Sequence, residues 1–244
     1  MLPSVLILGS TSDMARALAR LLASKGHPLL LAARNGEAIE ADAQDLRVRF
    51  NATVSTHLLD AADIAAHESW YAALPQRPDW VISAIGYLGK QQEQEKNWAA
   101  AHQTILANYT GVVSLLHHAA NDMEARGSGM IVGISSVAGE RGRASNYYYG
   151  SAKAGFTAFL SGLRNRLAKK GVHVLTVKPG FVDTNMTDGL DLPPLLTAQP
   201  DAVAKDILKA IHKQKNVLYT KWMWKYIMLI IRNIPEGLFK KLSL

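Results

Sequence analysis

Tyr149 and Lys153 have the residue types and the spacing of a proton-transfer pair. They lie four positions apart, so on a helix their side chains share one face. A phenol with a pKa of about 10 is a poor base at neutral pH, and a neighbouring ammonium lowers that pKa to give a usable acid and base. Neither Tyr147 nor Tyr148 has a lysine four residues later. Because this spacing is common on helix surfaces, the surrounding residues must decide whether the pair is functional.

Three further features place polar groups near such a pair. Ser136 lies just after the apolar run 130–134, and a hydroxyl at the end of a strand can polarise a substrate carbonyl. Asn108 lies within a long helical stretch, where an amide is mildly unfavourable. The segment 179–184, Pro-Gly-Phe-Val-Asp-Thr, follows another apolar run, at the edge where α/β proteins bind ligands. With these features present, a chance surface pair is the weaker explanation.

Segment 8–15 has the composition of a phosphate-binding loop. It follows the first apolar run and opens the first helix, where small residues let backbone N–H groups approach a pyrophosphate. Asp13 and Ala15 stand where a glycine-rich loop has further glycines, so a plain helix cap from Ser12 or Asp13 is the alternative. The candidate cofactor contacts are Gly9, Ser10, Thr11, Ser12, Asp13 and Met14.

The end of the second apolar run indicates which nicotinamide cofactor is used. An acidic residue there usually binds the ribose 2′-hydroxyl of NAD, but this chain has Arg34 and no acidic residue. A guanidinium can pair with a 2′-phosphate and stack on adenine. We therefore predict NADP, as NADPH, in preference to NAD, whose use stays open. An ordinary surface arginine is the alternative interpretation.

The elements that must position these residues follow an alternating pattern. Six apolar runs, β-branched or leucine-rich and without polar alternation, predict strands of a parallel sheet covered on both faces. They span Val5–Leu8, 28–33, 54–59, 80–84, 130–134 and 172–177. Helical segments such as 13–25, 97–126 and 150–170 lie between them. The pattern predicts an α/β fold, a single-domain doubly wound parallel sheet (Rossmann fold) over residues 1–244.

Composition narrows the classes of function further. The 244 residues are 48% hydrophobic and 19% charged, which suits a folded domain with a sizeable core. There is no cysteine, which excludes disulfides, thiolate metal sites and a cysteine nucleophile, and no carboxylate spacing near His117 and His118 indicates a metal site. The N-terminus lacks the pattern of a signal peptide, so a cytoplasmic location is expected.

In order and in spacing, nearly the whole chain resembles the short-chain dehydrogenase/reductase family. This resemblance maps the catalytic tetrad of the family onto Asn108, Ser136, Tyr149 and Lys153. It implies hydride transfer between a nicotinamide and a ketone or secondary alcohol. Ser136 would polarise the carbonyl and Tyr149 would transfer the proton. Lys153 would lower the pKa of Tyr149 and hold the nicotinamide ribose, while Asn108 would help to position a relay water.

The resemblance also implies further cofactor contacts. It assigns adenine contact to Asp60 and places Ala84 in the motif after the fourth strand, which reads Ser83-Ala84-Ile85-Gly86 here. It implies that Thr184 contacts the nicotinamide carboxamide, and that Pro179 and Val182 of the same motif also contact the cofactor. Asp13 would repel a pyrophosphate unless its side chain turns back to cap the helix, so cofactor affinity is the property this departure affects. Ser83, in place of an asparagine, would weaken support of the central strand.

The C-terminal part carries the excess charge. Residues 205–241 hold nine of the 27 basic residues but only two of the 20 acidic ones, which favours a local partner such as an anionic membrane over a nucleic acid. In the tail, residues 221–244, a stripe of Lys221, Lys225 and Arg232 lies beside Trp, Tyr and Ile residues. This composition suits peripheral contact with the inner face of the membrane. The alternative is a tail packed over the pocket or against another subunit.

Several alternatives remain open from the sequence. The Pro-rich segment 186–200 is expected to be a mobile substrate loop, and Glu140, Arg141 and Arg143 either bind an anionic substrate or are solvated. The tail and the Gly-x-Thr-Ser opening resemble reductases of keto-sugars linked to polyprenyl phosphate, which would make the substrate lipid-linked rather than a free small molecule. Helical segments 97–126 and 150–170 match those through which relatives form dimers and tetramers. A non-catalytic NADP-binding regulator and a membrane scaffold are the competing functions.

Overall fold

A seven-stranded, wholly parallel sheet with strand order β3-β2-β1-β4-β5-β6-β9 organises the computed structural model, which describes residues 2–242. A separate pair, β7 and β8, is also parallel. The strands are β1 (Val5–Leu8), β2 (Leu29–Ala33), β3 (Val54–Leu58), β4 (Trp80–Ser83), β5 (Gly129–Ile134), β6 (Val172–Lys178), β7 (Phe181–Val182), β8 (Thr197–Ala198) and β9 (Val217–Tyr219). The predicted fold class and all six predicted strands are confirmed, with ends within a residue of those expected.

Ten α-helices within residues 2–242 cover the sheet and its loops. They are α1 (Asp13–Ala23), α2 (Gly36–Phe50), α3 (His67–Ala72), α4 (Gln91–Gln94), α5 (Trp98–Ile105), α6 (Gly111–Arg126), α7 (Tyr147–Leu167), α8 (Pro200–His212), α9 (Met223–Asn233) and α10 (Glu236–Phe239). None of the helices within residues 2–242 is long and apolar enough to cross a membrane.

The core lies on both faces of the sheet, as the non-alternating strands require. Val5 and Ile7 pack on one face with residues of α1 and α8, whereas Leu6 and Leu8 pack on the other with residues of α6 and α7. All four side chains are essentially inaccessible to solvent. Because successive side chains of a strand point to opposite faces, a doubly covered strand must be apolar throughout.

Two predicted helices need correction, and one strand was not predicted. The segment 97–126 contains two helices, α5 and α6, joined by a π-helical turn, Leu106–Thr110, that carries Asn108. The helix expected at 150–170 is α7, which begins earlier, at Tyr147, and ends earlier, at Leu167. The sequence analysis missed β9, whose three residues extend the sheet beyond β6, because so short a run has no periodicity to detect.

The sheet has its topological switch between β1 and β4. From β1 the chain winds outward to β2 and β3, and it then returns to β4 on the other side of β1. Loops at the carboxyl ends of these two strands diverge toward opposite faces and leave a crevice between them, which is where open α/β sheets bind ligands.

Candidate active site

Ser136 and Tyr149 are brought together by close packing between the turn Val137–Glu140 and α7. A Cβ added to Gly139 would lie 2.6 Å from the backbone nitrogen of Ala154, and one added to Gly150 would lie 2.9 Å from the carbonyl oxygen of Ala138. These two glycines therefore allow the approach. Although burial has the larger effect on the pKa of Tyr149, the Ser136 hydroxyl lies close enough to lower the pKa of that phenol through hydrogen bonding.

Lys153 lies one helical turn beyond Tyr149 and is almost completely buried. Its Nζ donates hydrogen bonds to the carbonyl oxygens of Ile134, at 3.1 Å, and of Ile85, at 3.3 Å. The same Nζ lies 5.7 Å from the centroid of the Tyr149 ring. The two carbonyls come from the ends of the fifth and fourth strands, so the sheet itself fixes the position of the ammonium.

Burial decides the protonation of this pair. It raises the pKa of Tyr149 to about 12, against a smaller lowering effect of the hydrogen bond with Ser136. Burial also lowers the pKa of Lys153 to about 8. The net pKa of Tyr149 is therefore raised and not lowered as the sequence predicted. Loss of hydration disfavours the charged form of both groups.

Asn108 is buried in the π-helical turn and is engaged with the backbone. Its Nδ2 donates to the carbonyl oxygens of Tyr87, at 2.6 Å, and Thr104, at 2.9 Å, while its Oδ1 accepts from the Tyr87 nitrogen at 3.2 Å. The side chain thus fixes the segment after β4. Its role is to position that wall of the site, and a π-helical turn is often found at functional sites.

A cleft of about 1060 Å³ opens beside Tyr149 and Lys153 at the topological switch, at the upper end of the size range of small-molecule pockets. The predicted residues that line it are Gly9, Thr11, Ser12, Asp13, Met14, Arg34, Asp60, Ala84, Tyr149, Lys153 and Thr184. Gly9 has a φ of +75°, and a Cβ there would lie 2.9 Å from the Ile85 nitrogen. Only glycine allows the two strand ends to come so close.

The floor of this cleft includes the start of α1. Ser12 caps the helix, because its Oγ accepts a hydrogen bond from the Ala15 nitrogen at 3.3 Å. The start of the helix faces the cleft. Arg34 lies at the far end, after β2, and is exposed. Asp60 lies nearby after β3, where its carboxylate accepts from the Ala62 nitrogen at 2.9 Å.

The Asp13 carboxylate has a hydrogen-bond partner that the sequence did not predict. Its carboxylate accepts hydrogen bonds from the backbone nitrogen of Asn185, at 2.8 Å, and from its Nδ2, at 3.3 Å. Ser12, and not Asp13, is the residue that caps α1. Of the two caps that the sequence left open, the structure uses Ser12. The carboxylate ties the start of the helix to the loop that follows Thr184.

Five predicted residues do not line the cleft: Ser10, Asn108, Ser136, Pro179 and Val182. Ser10 is buried, and its hydroxyl has no hydrogen-bond partner among residues 2–242. Pro179 lies beside Ser136 instead, where its carbonyl oxygen accepts from the Val137 nitrogen at 2.9 Å. Of the predicted motif 179–184, only Thr184 reaches the cleft.

The sequence analysis missed two groups that hold the site. Ser135 is buried and donates to the Lys153 carbonyl at 3.0 Å, and its hydroxyl lies 2.7 Å from that of Thr157. These contacts join the end of β5 to α7. Ile85 and Gly86 also line the cleft, although only their place beside Ala84 in the motif could have indicated this.

The loop after Ser136 does not bind a ligand through Glu140 and Arg141. The Glu140 carboxylate is buried and pairs with Lys178 at 2.8 Å and with Arg232 at 3.6 Å, and it also accepts from the Tyr219 hydroxyl. Arg141 donates from Nη1 to the carbonyl oxygens of residues 231, 232 and 234 at the end of α9. For Glu140 and Arg141 both interpretations from the sequence are wrong, because these residues hold the tail; for Arg143, which is half-buried, both stay predictions.

The tail packs back onto the site through one face of α9. Trp224 and Met228 are buried against Val137, beside Phe181 and Leu196. Trp224 Nε1 donates to the Leu196 carbonyl oxygen at 3.1 Å. The tail therefore closes the side of the site where Ser136 lies. Residues 243 and 244, at the end of the predicted tail, lie outside the described residues.

This fold and this site are those of the short-chain dehydrogenases. The model of the family described as "short chain dehydrogenase" matches residues 3–193. The chain therefore belongs to this family, which confirms the prediction and, with it, the class of nicotinamide-dependent oxidoreductases.

Individual relatives agree with this assignment. An uncharacterized oxidoreductase of Mycobacterium tuberculosis is 37% identical over 241 residues, 98% of this chain and 96% of that protein. Sulfoacetaldehyde reductase 2 of Chromohalobacter salexigens is 34% identical over 75% of this chain and 74% of its own length. Among solved structures, a short-chain dehydrogenase of Sphingobium yanoikuyae in complex with NADPH is 25% identical with a TM-score of 0.81, covering 97% of this chain and 98% of that one.

Proposed function

We propose that the protein is an NADPH-dependent reductase of a ketone or aldehyde. The observation that carries the proposal is the buried Lys153, fixed by two strand-end carbonyls one helical turn beyond Tyr149 and beside Ser136, in a dinucleotide-sized cleft. The name of the sulfoacetaldehyde reductase relative supports a carbonyl as the reacting group.

The cleft fits a dinucleotide in shape and chemistry. Because Gly9 has no Cβ, the backbone between β1 and β4 stays open to a ligand. The N-terminus of α1, which is the positive end of the helix dipole, faces the cleft. Arg34 is free to pair with a 2′-phosphate, which supports NADP over NAD, and the NADPH bound to the Sphingobium relative agrees with this choice. Lys153 and Thr184 would hold the nicotinamide end.

Each of the reacting side chains has a defined task in this proposal. NADPH, held at its nicotinamide end by Lys153 and Thr184, would supply the hydride for the carbonyl carbon of the substrate. The Ser136 hydroxyl donates to the carbonyl oxygen and polarises it. Tyr149 enters the reaction protonated, because burial raises its pKa to about 12, and it transfers that proton to the same oxygen. Lys153, with a pKa of about 8, is mostly charged at neutral pH and stabilises the tyrosinate that remains.

The test replaces the proton donor and a matched neighbour. We expect Tyr149→Phe to lower kcat by about 10²- to 10⁴-fold, the usual contribution of a general acid, while the Kd for NADPH is unchanged. Tyr148→Phe is the control, since Tyr148 has no lysine four residues later. The measurements are NADPH oxidation with a panel of ketones and aldehydes, and NADPH fluorescence. Near-normal turnover by Tyr149→Phe would refute the proposed acid, and NADPH binding without any turnover would favour a non-catalytic regulator.

A narrower version of the proposal makes the carbonyl substrate lipid-linked. It is supported by the position of α9, whose inner face adjoins the turn after Ser136 and whose outer face is apolar. If this version holds, the same carbonyl group is reduced faster when it is attached to a lipid carrier in vesicles than when it is free in solution. Equal rates would leave a free small molecule as the substrate.

We further propose a homodimer or homotetramer that assembles through α5, α6 and α7, the helices expected from the family. Tyr109 and Tyr147, on this side of the molecule, are partly exposed aromatic residues. Sedimentation equilibrium of the wild type and of Tyr109→Asp gives the test. A monomeric wild type would refute the proposal, and a Tyr109→Asp variant that associates like the wild type would exclude these helices.

A further inference from the structure

The helix α9 has two apolar faces, and only one of them is covered. The inner face holds Trp224 and Met228, which are 4% and 0% exposed. The outer face holds Tyr226, Leu229 and Ile230, which are 54%, 55% and 68% exposed. The burial of the inner face is explained by packing on the site, whereas nothing among residues 2–242 covers the outer one.

Neighbouring residues extend this exposed surface beyond the helix. Trp222, 71% exposed, lies just before α9 and packs edge-on against Tyr226, with ring centroids 5.8 Å apart. Positions 222, 226, 229 and 230 follow the i, i+4, i+7, i+8 pattern of one helix face. Leu238 and Leu242 are also exposed at the end of the described chain. We call the set Trp222, Tyr226, Leu229, Ile230, Leu238 and Leu242 the outer face.

Positive charge accompanies the outer face, although less of it than the sequence predicted. Of the predicted stripe, Lys221 donates to the carbonyl oxygens of residues 194 and 195 and Arg232 pairs with Glu140, whereas Lys225 has neither a carbonyl nor a carboxylate partner within residues 2–242. Lys225, Lys240 and Lys241 are exposed, and none has a carboxylate partner within residues 2–242.

The outer face is held rigidly against the rest of the molecule. Arg141 donates to three carbonyl oxygens at the end of α9, and its guanidinium stacks 3.7 Å from the centroid of the Phe239 ring. Its Nη2 also pairs with Glu236, at 2.9 Å. One arginine thus fixes α9 and α10 together. The aromatic, aliphatic and basic side chains are presented to an external partner without an ordering step.

We infer that the outer face binds the surface of an anionic lipid bilayer. Tryptophan and tyrosine beside aliphatic residues, with lysines at the edge, are the composition of helices that lie in a membrane interface. The lysines complement anionic headgroups. A second copy of the chain fits less well, because a symmetric contact places the same lysines of the two subunits close together. The inference goes beyond the proposed reaction and does not depend on it.

The experiment is flotation of the full-length protein with lipid vesicles. We expect binding to vesicles of phosphatidylcholine mixed with phosphatidylglycerol, and much weaker binding to phosphatidylcholine alone. The variant Trp222→Ser, Tyr226→Ser, Ile230→Ser removes apolar contact, and Lys225→Glu, Lys240→Glu, Lys241→Glu reverses the charge. Each should weaken binding about tenfold or more. Substitution is preferable to removal of the tail, which would uncover Trp224 and Met228.

Matched controls separate this surface from general properties of the chain. The apolar control is Trp98→Ser with Val48→Ser, since both side chains are exposed elsewhere. The charge control is Lys205→Glu, Lys209→Glu, Lys213→Glu, which gives the same net charge from exposed lysines on or next to α8. Both controls should bind vesicles like the wild type. NADPH affinity and the thermal midpoint confirm that every variant is folded.

Three outcomes would overturn the inference. The first is a wild-type protein that does not float with anionic vesicles. The second is equal loss of binding by the two charge variants, which would show attraction by net charge alone. The third is a dimer in sedimentation experiments that the outer-face variant disrupts, which would assign the surface to a second copy of the chain.

Discussion

The cofactor end of the molecule and its C-terminal end are built in different ways. The cofactor cleft is lined by the ends of β1 to β5, and its residues come from short motifs in fixed order along the chain. The C-terminal end is held by contacts between residues far apart in sequence, such as Arg141 with the carbonyls at the end of α9. The family model matches residues 3–193 and so includes the first end but not α8, β9 or the tail.

This difference separates what is general in the family from what is particular to this chain. Strand ends of a parallel sheet meet at one edge, so motifs after them form a cleft wherever the fold recurs. The tail packs against the turn after Ser136, where it shapes the substrate side. We therefore expect the proposed reaction chemistry to depend on the first region and the selection of the substrate mainly on the second. Four experiments test this difference between the two regions.

The largest effect is expected from the two tryptophans of the tail. Trp224→Ala should lower the free energy of unfolding by about 3–5 kcal/mol, because it empties a buried site and removes the hydrogen bond to Leu196. Trp222→Ala should change it by no more than about 0.5 kcal/mol, because that side chain is exposed. Urea unfolding measures both. If the two variants are equally stable, the tail is not an integral part of the fold.

The next effect concerns Lys153 and pH. Burial lowers its pKa to about 8 in the folded chain, so the unfolded chain binds more protons between about pH 8 and 10.5. Stability should therefore rise with pH across that window, by up to about 1.4 kcal/mol per pH unit from this group. The measurement is urea unfolding of the wild type and Lys153→Met at several pH values. A difference between the two that does not vary with pH would contradict burial as the cause.

A smaller effect is expected from Arg34 at the adenosine end. Arg34→Ala should raise the Kd for NADPH about 10- to 100-fold, the worth of a charge-assisted hydrogen bond, and leave the Kd for NADH unchanged. Arg49→Ala is the control, since Arg49 is exposed and pairs with Asp45 away from the cleft. Fluorescence titration with each cofactor measures this. Parallel loss of both affinities would remove Arg34 as the selector of NADP.

The smallest effect tests the contact between the two ends of the site. Asn185→Ala should weaken NADPH binding by about fivefold or less, since it removes one of the two hydrogen bonds to the Asp13 carboxylate, which then repels a pyrophosphate more strongly. Asp13→Asn with Asn185→Ala should restore the affinity, because the charge is then absent. A double-mutant cycle of Kd values supplies the coupling energy. An additive cycle would show that the contact has no influence on the cofactor.

The amino-acid sequence was sufficient to predict the family, the parallel sheet and most of the residues proposed for the cleft. Apolar runs specify doubly covered strands, and residues such as Gly9, Arg34, Ser136 and Tyr149 are placed by their distance from strand ends. These properties are local, so they can be read from neighbouring positions along the chain.

The tertiary structure alone decided the protonation of Tyr149 and Lys153, the partner of Asp13 and the two faces of α9. The tyrosine pKa depends on how much water the whole fold excludes, which spacing to a lysine does not show. Asp13 and Asn185 are 172 positions apart, and a carboxylate can be satisfied by any donor that folding brings near. The faces of α9 look alike in sequence. Only packing against Val137 distinguishes the buried one from the exposed one.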